Sequence, residues 1–232
     1  MGLKNSKQDD ISKWFDSFQY PVNNGTTIFQ IYINLDHRTD RREQIEAELQ
    51  RLNIGPFQRF SAIKNSHSPL GCSLSHIESL KQGIQSGADH IWIFEDDFKL
   101  TIEPELLQQI VKCVMETNYD VFLAGYCINN KFSKHTASLN HNIFKRIKDA
   151  QSAHSYLVNK KYASTLLKNF EQGATILNKT KNNPAVDQYW KLLQAKDMWI
   201  TYIHGVCCIQ RSGYSDIQNI MKENPTRVPI ME

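Results

Sequence analysis

Three consecutive carboxylates, Glu95, Asp96 and Asp97, follow an apolar run of Ile91, Trp92, Ile93 and Phe94. Neighbouring like charges repel, and each raises the cost of ionising the next. A bound divalent cation removes that cost. If strand geometry persists to the end of the run, Glu95 and Asp97 point to one side and Asp96 to the other. Two converging oxygen ligands suit Mg2+ or Mn2+, hard cations that keep positions open for phosphate oxygens. The alternative is a solvated acidic turn after a strand.

The elements that would position these acids follow from hydrophobic period. Residues 28–35 (IFQIYINL) and 91–94 read as buried strands, and 57–63, 119–126, 155–158 and 199–203 as further strands. A helix opens near Asp40, a reasonable N-cap, and runs to Leu52 with Ile45, Leu49 and Leu52 on one face. A second follows Gly71, Cys72 and Ser73, carries Leu74, Ile77, Leu80 and Ile84, and closes at Gly87. Others are expected over 104–117, 160–170 and 186–194, with a loop over 172–184. Strands alternate with helices, so the fold class is α/β. Residues 1–26 read as an N-terminal extension, 27–217 as a single domain and 218–232 as a tail. In such sheets ligands bind beyond the carboxyl ends of the strands. Asp36, the acidic cluster and Gly125 would lie on that edge.

Composition narrows the function classes. The 232 residues are 41% hydrophobic and 22% charged, ordinary for a globular protein. A formal net charge of +3, with its basic residues scattered, gives no electrostatic footprint for nucleic acid. No apolar segment approaches the roughly 20 residues needed to cross a bilayer. The five cysteines are odd in number, no pair of them has metal-site spacing, and free thiols in a reducing compartment fit best. Without an apolar signal core, a cytoplasmic location is expected. Gly2 and Ser6 fit the N-myristoylation pattern, which leaves peripheral membrane association as a side reading.

Five segments together resemble glycosyltransferase family 25, whose members include lipooligosaccharide and collagen galactosyltransferases. They are INLDHRTDRR (33–42), FQRFSAI (57–63), GCSLSH (71–76) with IFEDD (93–97), AHSYLVNKKYASTLL (153–167), and PAVDQYW (184–190) with QRSGYSDI (210–217). The resemblance implies a GT-A-type, Rossmann-like mixed sheet flanked by helices. It also implies a nucleotide-sugar donor, usually a UDP-sugar, with a divalent metal, usually Mn2+, and inversion at the anomeric carbon. The expected reaction moves a hexose, galactose or glucose, to a hydroxyl acceptor on a glycan, lipooligosaccharide or hydroxylysine-type protein.

That resemblance assigns roles residue by residue. Asp97 and Glu95 would hold the metal, with His204 as a late histidine ligand. The turn at Asn34, Leu35, Asp36 and Arg38 would cradle the nucleotide; Arg41 is a further phosphate candidate, and Arg42 is read as a solvated helix face. Ser75 and His76 are donor-site candidates within a helix whose start could meet phosphate or sugar. His76 would bond the donor sugar or the acidic loop, or instead fix the helix against the sheet, and Asp96 would join the donor contacts. Asp187 is the candidate general base, although a helix N-terminus would lower its pKa. Asp216 is the rival base or an anchor for the tail. Tyr156 and Gln188 are further candidate contacts, Tyr156 reading better as core. Acceptor specificity would lie in 127–149 and 172–184. A metal-dependent nucleotidyltransferase and a silent carbohydrate-binding protein of the same fold are the alternatives.

Overall fold

The computed structural model describes residues 25–128, 136–138, 143–181, 185–217 and 220–222. Gly2, Ser6, nearly all of the expected N-terminal extension, most of the tail and much of the 127–149 stretch lie outside the described residues. The helices are α1 (Thr39–Leu52), α2 (Ser68–Ser86), α3 (Pro104–Glu116), α4 (Lys160–Thr180), α5 (Val186–Tyr189) and α6 (Lys191–Gln194). The strands are β1 (Ile28–Asn34), β2 (Phe57–Ser61), β3 (His90–Glu95), β4 (Phe98–Leu100), β5 (Val121–Leu123), β6 (Cys127–Ile128) and β7 (Thr136–Ser138). They continue with β8 (Phe144–Arg146), β9 (Ala150–Gln151), β10 (Ser155–Asn159), β11 (Trp199–Tyr202), β12 (Cys208–Gln210), β13 (Gly213–Ser215) and β14 (Ile220–Lys222).

Eight strands form one mixed sheet in the order β2-β1-β3-β10-β5-β11-β8-β7. β1 pairs in parallel with β2 and β3, and β11 with β5. β10 enters antiparallel between β3 and β5. Both faces are covered, so the inner strands are largely apolar on both sides rather than strictly alternating with polar residues. Ile31, Ile91, Ile93, Tyr156 and Val158 share one core with Ile77, Leu80, Leu166 and Phe170 of α2 and α4. Tyr32, Trp92, Phe94 and Leu157 share the other with Ile45, Leu49, Leu107 and Ile110 of α1 and α3. A Cβ added at Gly83 would stand 2.4 Å from Ile91 Cγ2, so this glycine sets how closely α2 lies on β3.

Several sequence-based boundaries move. α1 begins at Thr39 with Arg38 at the N-cap, and Asp40 sits in its first turn, held by the Arg38 guanidinium rather than capping the helix. α2 begins at Ser68, three residues before Gly71. The expected loop over 172–184 is instead helical to Thr180. The buried stripe of α4 continues through Gly173, Ala174 and Leu177, and Gly173 packs against the Tyr189 ring. Small residues carry that stripe, so a search for large apolar side chains ends it early. The helix expected over 186–194 is two short helical segments, α5 and α6, meeting at the fully buried Trp190.

Candidate active site

β3 ends at Glu95, and Asp96 and Asp97 make the turn into β4. β4 pairs antiparallel with β12, which lays the late chain over that turn and sets Gln210 opposite Phe98. The Gln210 amide nitrogen then lies 3.3 Å from a Glu95 oxygen and 3.3 Å from an Asp97 oxygen. Glu95 and Asp97 therefore share one side. Asp96 also lines the cleft beside them but turns its oxygens the other way, accepting from Asn34 Nδ2 at 2.9 Å and from Arg41 Nη1 at 2.9 Å. Burial raises the Asp96 pKa, and it outweighs the downward pull of Arg41 and Asn34. Asp96 is a tether inside the protein; its oxygens are occupied.

Beside these acids opens a cleft of about 390 Å³. Asn34, Leu35, His37 and Arg41 line it from the β1–α1 turn, and Ser75 and His76 from α2. Gln210, Arg211, Ser215 and Asp216 close the far side. Arginine contacts hold that far side to α1. Arg211 donates to Glu48 at 2.9 Å, Arg41 to the Tyr214 carbonyl at 2.7 Å, and Arg38 to Asp216.

His76 is completely buried and joins two partners. Its Nδ1 lies 2.9 Å from Tyr156 Oη and its Nε2 3.0 Å from Glu95 Oε1. Ser75 is also buried: it donates to the Gly71 carbonyl and accepts from Ile63 N, both at 2.8 Å. Gly71 permits that approach, because a Cβ there would stand 2.5 Å from the Ile63 carbonyl oxygen. Cys72, one helical turn before His76, reaches the cleft, and its thiol is pushed well up by burial and then by Glu95.

Other candidates are placed differently. Asp36 is 73% exposed, pairs with Arg59 and Ser61, and does not line the cleft. Arg38 is committed to Asp40, Asp216 and the Tyr214 carbonyl, and Arg41 takes the place facing the acids. Arg42 pairs with Glu46 on the outer face of α1. His204 lies beyond β11, is exposed and packs on Tyr202; it is not brought to Glu95 and Asp97. Gln188 bonds Gln151, and Tyr156 is core. Asp216 lines the cleft but is ion-paired with Arg38 and lies 3.5 Å from His37.

Asp187 does not line the cleft, although its charge is felt by Cys72 and it feels Glu95 in turn. It is the second residue of α5 and accepts from Ser152 N at 2.9 Å. The expectation that a helix N-terminus lowers its pKa is overturned. Burial raises it, and Glu95 adds to the rise. Gln210 and Arg59 are among the residues to which the sequence reading gave no role. Arg59 bonds both Asn34 Oδ1 at 3.1 Å and Asp36, locking the β1 turn. Both lie in segments that carry the family resemblance, FQRFSAI and QRSGYSDI, but it is the pairings β1–β2 and β4–β12 that bring them to the site.

The family model described as glycosyltransferase family 25 (LPS biosynthesis protein) matches residues 66–189, more than half of the chain. The chain belongs to glycosyltransferase family 25. The matched region holds the α2 motif, the acidic turn and Asp187, and leaves β1 and β12 outside. A comparison with curated proteins finds no match. Among solved structures, this family 25 chain is similar to A197 from STIV, with 12% identity over 89% of this chain and 98% of that one, at a TM-score of 0.45. It is similar to a glycosyltransferase involved in the glycosylation of the major capsid of PBCV-1, with 7% identity, 76% and 92% coverage and a TM-score of 0.45. A third is the glycosyltransferase GlyE of Streptococcus pneumoniae TIGR4, with 11% identity, 77% and 45% coverage and a TM-score of 0.41. No helix among the described residues is long and apolar enough to cross a membrane.

Proposed function

We propose that the chain transfers a hexose from a UDP-sugar to a hydroxyl acceptor with inversion, using a divalent cation. One observation carries this reading: Glu95 and Asp97 face the same amide donor, Gln210, at the edge of a cleft that also presents Arg41. A position where one N–H donor already serves two carboxylates is a position where a hard cation would be held. Glu95 and Asp97 supply the oxygens that Mn2+ or Mg2+ prefers. When bound, such a cation neutralises charge on the leaving diphosphate.

The chain's own residues divide the remaining work. Arg41, His37 and Lys64 line the cleft as donors for phosphate oxygens. The Asn34 amide donates to Asp96 and the Arg38 carbonyl, and in this reading Asn34 holds the β1 turn that lines the cleft. His76 fixes the Glu95 carboxylate from beneath. Asp187 lies near Glu95 without lining the donor cleft, which suits a base that meets an acceptor from the other side. Its raised pKa makes it a better proton acceptor than an ordinary surface aspartate.

The test is a panel of nucleotide sugars and hydroxyl acceptors with Mn2+, reading UDP release and glycosylated product. Wild type should turn over one UDP-hexose and Asp97→Asn should lose at least about 100-fold while melting within a few degrees of wild type. Turnover of no nucleotide sugar, or an Asp97→Asn protein as active as wild type, would sink the reading. Pyrophosphate release from UTP would favour a nucleotidyltransferase instead.

A further inference from the structure

We propose that Cys72, His76 and Glu95 form a binding site for a thiophilic divalent cation, Zn2+ foremost, on the floor of the cleft. Their ligand atoms, Sγ, a ring nitrogen and a carboxylate oxygen, all lie within 4.8 Å of one another. Cys72 and His76 are four residues apart on α2 and so share one helix face. Glu95 arrives from the end of β3. A sulfur, a nitrogen and an oxygen are the donor types that zinc takes in sites with three protein ligands, which leave the fourth position open. Both Cys72 and Glu95 line the cleft, so that open position faces it.

A second observation supports the assignment independently. Metal-binding histidines usually present one nitrogen to the ion and fix the other through a hydrogen bond. His76 already has that arrangement, with Nδ1 held by Tyr156 Oη at 2.9 Å and Nε2 aimed at Glu95. The separation of Nε2 and Glu95 Oε1, 3.0 Å, is near the roughly 3.3 Å edge of a tetrahedron built on zinc–nitrogen and zinc–oxygen bonds of about 2.0–2.1 Å. Binding requires Cys72 to release its proton to solvent as the thiolate forms its bond to the ion.

The site differs in kind from the oxygen pair of Glu95 and Asp97. A soft ligand set selects zinc over manganese, and the oxygen pair suits the harder ion. Glu95 belongs to both. It presents Oε1 to His76 and Oε2 to Gln210, so zinc bound through Cys72 takes the oxygen turned away from the oxygen pair. Metal binding at Cys72 is measured without a sugar donor, so it stands or falls separately from the transferase reading.

The experiment uses the full chain stripped of metal by chelation and titrated with Co2+, followed by displacement with Zn2+. Wild type should develop a cobalt–thiolate charge-transfer band that saturates at one equivalent and bleaches as Zn2+ enters. Cys72→Ser should lose the band and bind Zn2+ at least about tenfold more weakly. Cys127→Ser, a control at a partly exposed thiol elsewhere, should retain both. Asp97→Asn should keep the band, which separates this site from the oxygen pair. No thiolate band in wild type, or unchanged Zn2+ affinity in Cys72→Ser, would overturn the proposal.

Discussion

His76 Nε2 stands 3.0 Å from Glu95 Oε1, and the opposite nitrogen of the same buried ring stands 2.9 Å from Tyr156. A carboxylate at a strand end is thus held by a helix through the sheet's own core. His76→Phe strips partners from both Glu95 and Tyr156. It should destabilise the fold by about 2–4 kcal/mol. At roughly 2–4 °C per kcal/mol for a chain of this size, calorimetry should show a clear fall in Tm. Transfer should fall about 10–100-fold, because Glu95 loses its orientation. A variant that melts like wild type would show that the ring does not support the site.

Arg41 and Asp96 form a pair 2.9 Å apart with both side chains largely buried. Removing the guanidinium leaves Asp96 with burial and only Asn34 to offset it. Arg41→Ala should cost about 2–4 kcal/mol in denaturant unfolding. Arg41→Ala combined with Asp96→Asn should recover part of that loss, giving a coupling of at least about 1 kcal/mol. Additive losses would mean that the two side chains do not interact.

Asp187 provides a pH signature. Its pKa is raised by burial and by Glu95, and the ionised form is the base. The acid limb of the pH–rate profile should therefore lie above the ordinary aspartate value of about 3.9. Asp187→Asn should lower kcat by about 100- to 10,000-fold. Stability gives an independent check. A carboxyl whose folded pKa is raised favours folding below the unfolded pKa, and that contribution is lost as pH rises through the folded pKa. Asp187→Asn should gain on wild type as pH rises from about 4 towards neutrality, read from urea midpoints.

Gly71 leaves no room for a side chain. A Cβ there would stand 2.5 Å from the Ile63 carbonyl oxygen and 3.2 Å from Asn65 N, both backbone atoms. Gly71→Ala should cost about 1–3 kcal/mol and should loosen the cleft wall at Ala62, Ile63 and Lys64. Faster hydrogen exchange at the Ile63 amide, which Ser75 Oγ accepts, is the local readout.

The alternation of strands and helices, the acidic turn and the shared side of Glu95 and Asp97, with Asp96 turned away, were all legible in the sequence. Each depends on local period, and a strand's side-chain alternation is a local rule. What was illegible depends on distant pairing. Gln210 reaches Glu95 across 115 residues because β12 pairs with β4. Arg38 and Arg41 could not be told apart as phosphate candidates, because their difference is set by where Asp216 and Asp96 come to rest. Cys72 was read with the other cysteines as a free thiol in a set without metal-site spacing. Its histidine partner sits on the same helix, but the carboxylate that completes the trio comes from another element.

The antiparallel strand at the middle of the sheet has a consequence for biosynthesis. β3 and β5 never pair with each other; residues 155–159 join them by pairing with both. A nascent chain that ends before residue 155 carries β3 with one edge bare and its acidic turn uncovered by β12. Open edges of apolar strands recruit other chains. Ribosome-bound intermediates of that length should bind chaperones, and release once the next fifty residues or so bring in β10, β11 and β12. The cleft is thus completed only when β12 meets an acidic turn made 115 residues earlier.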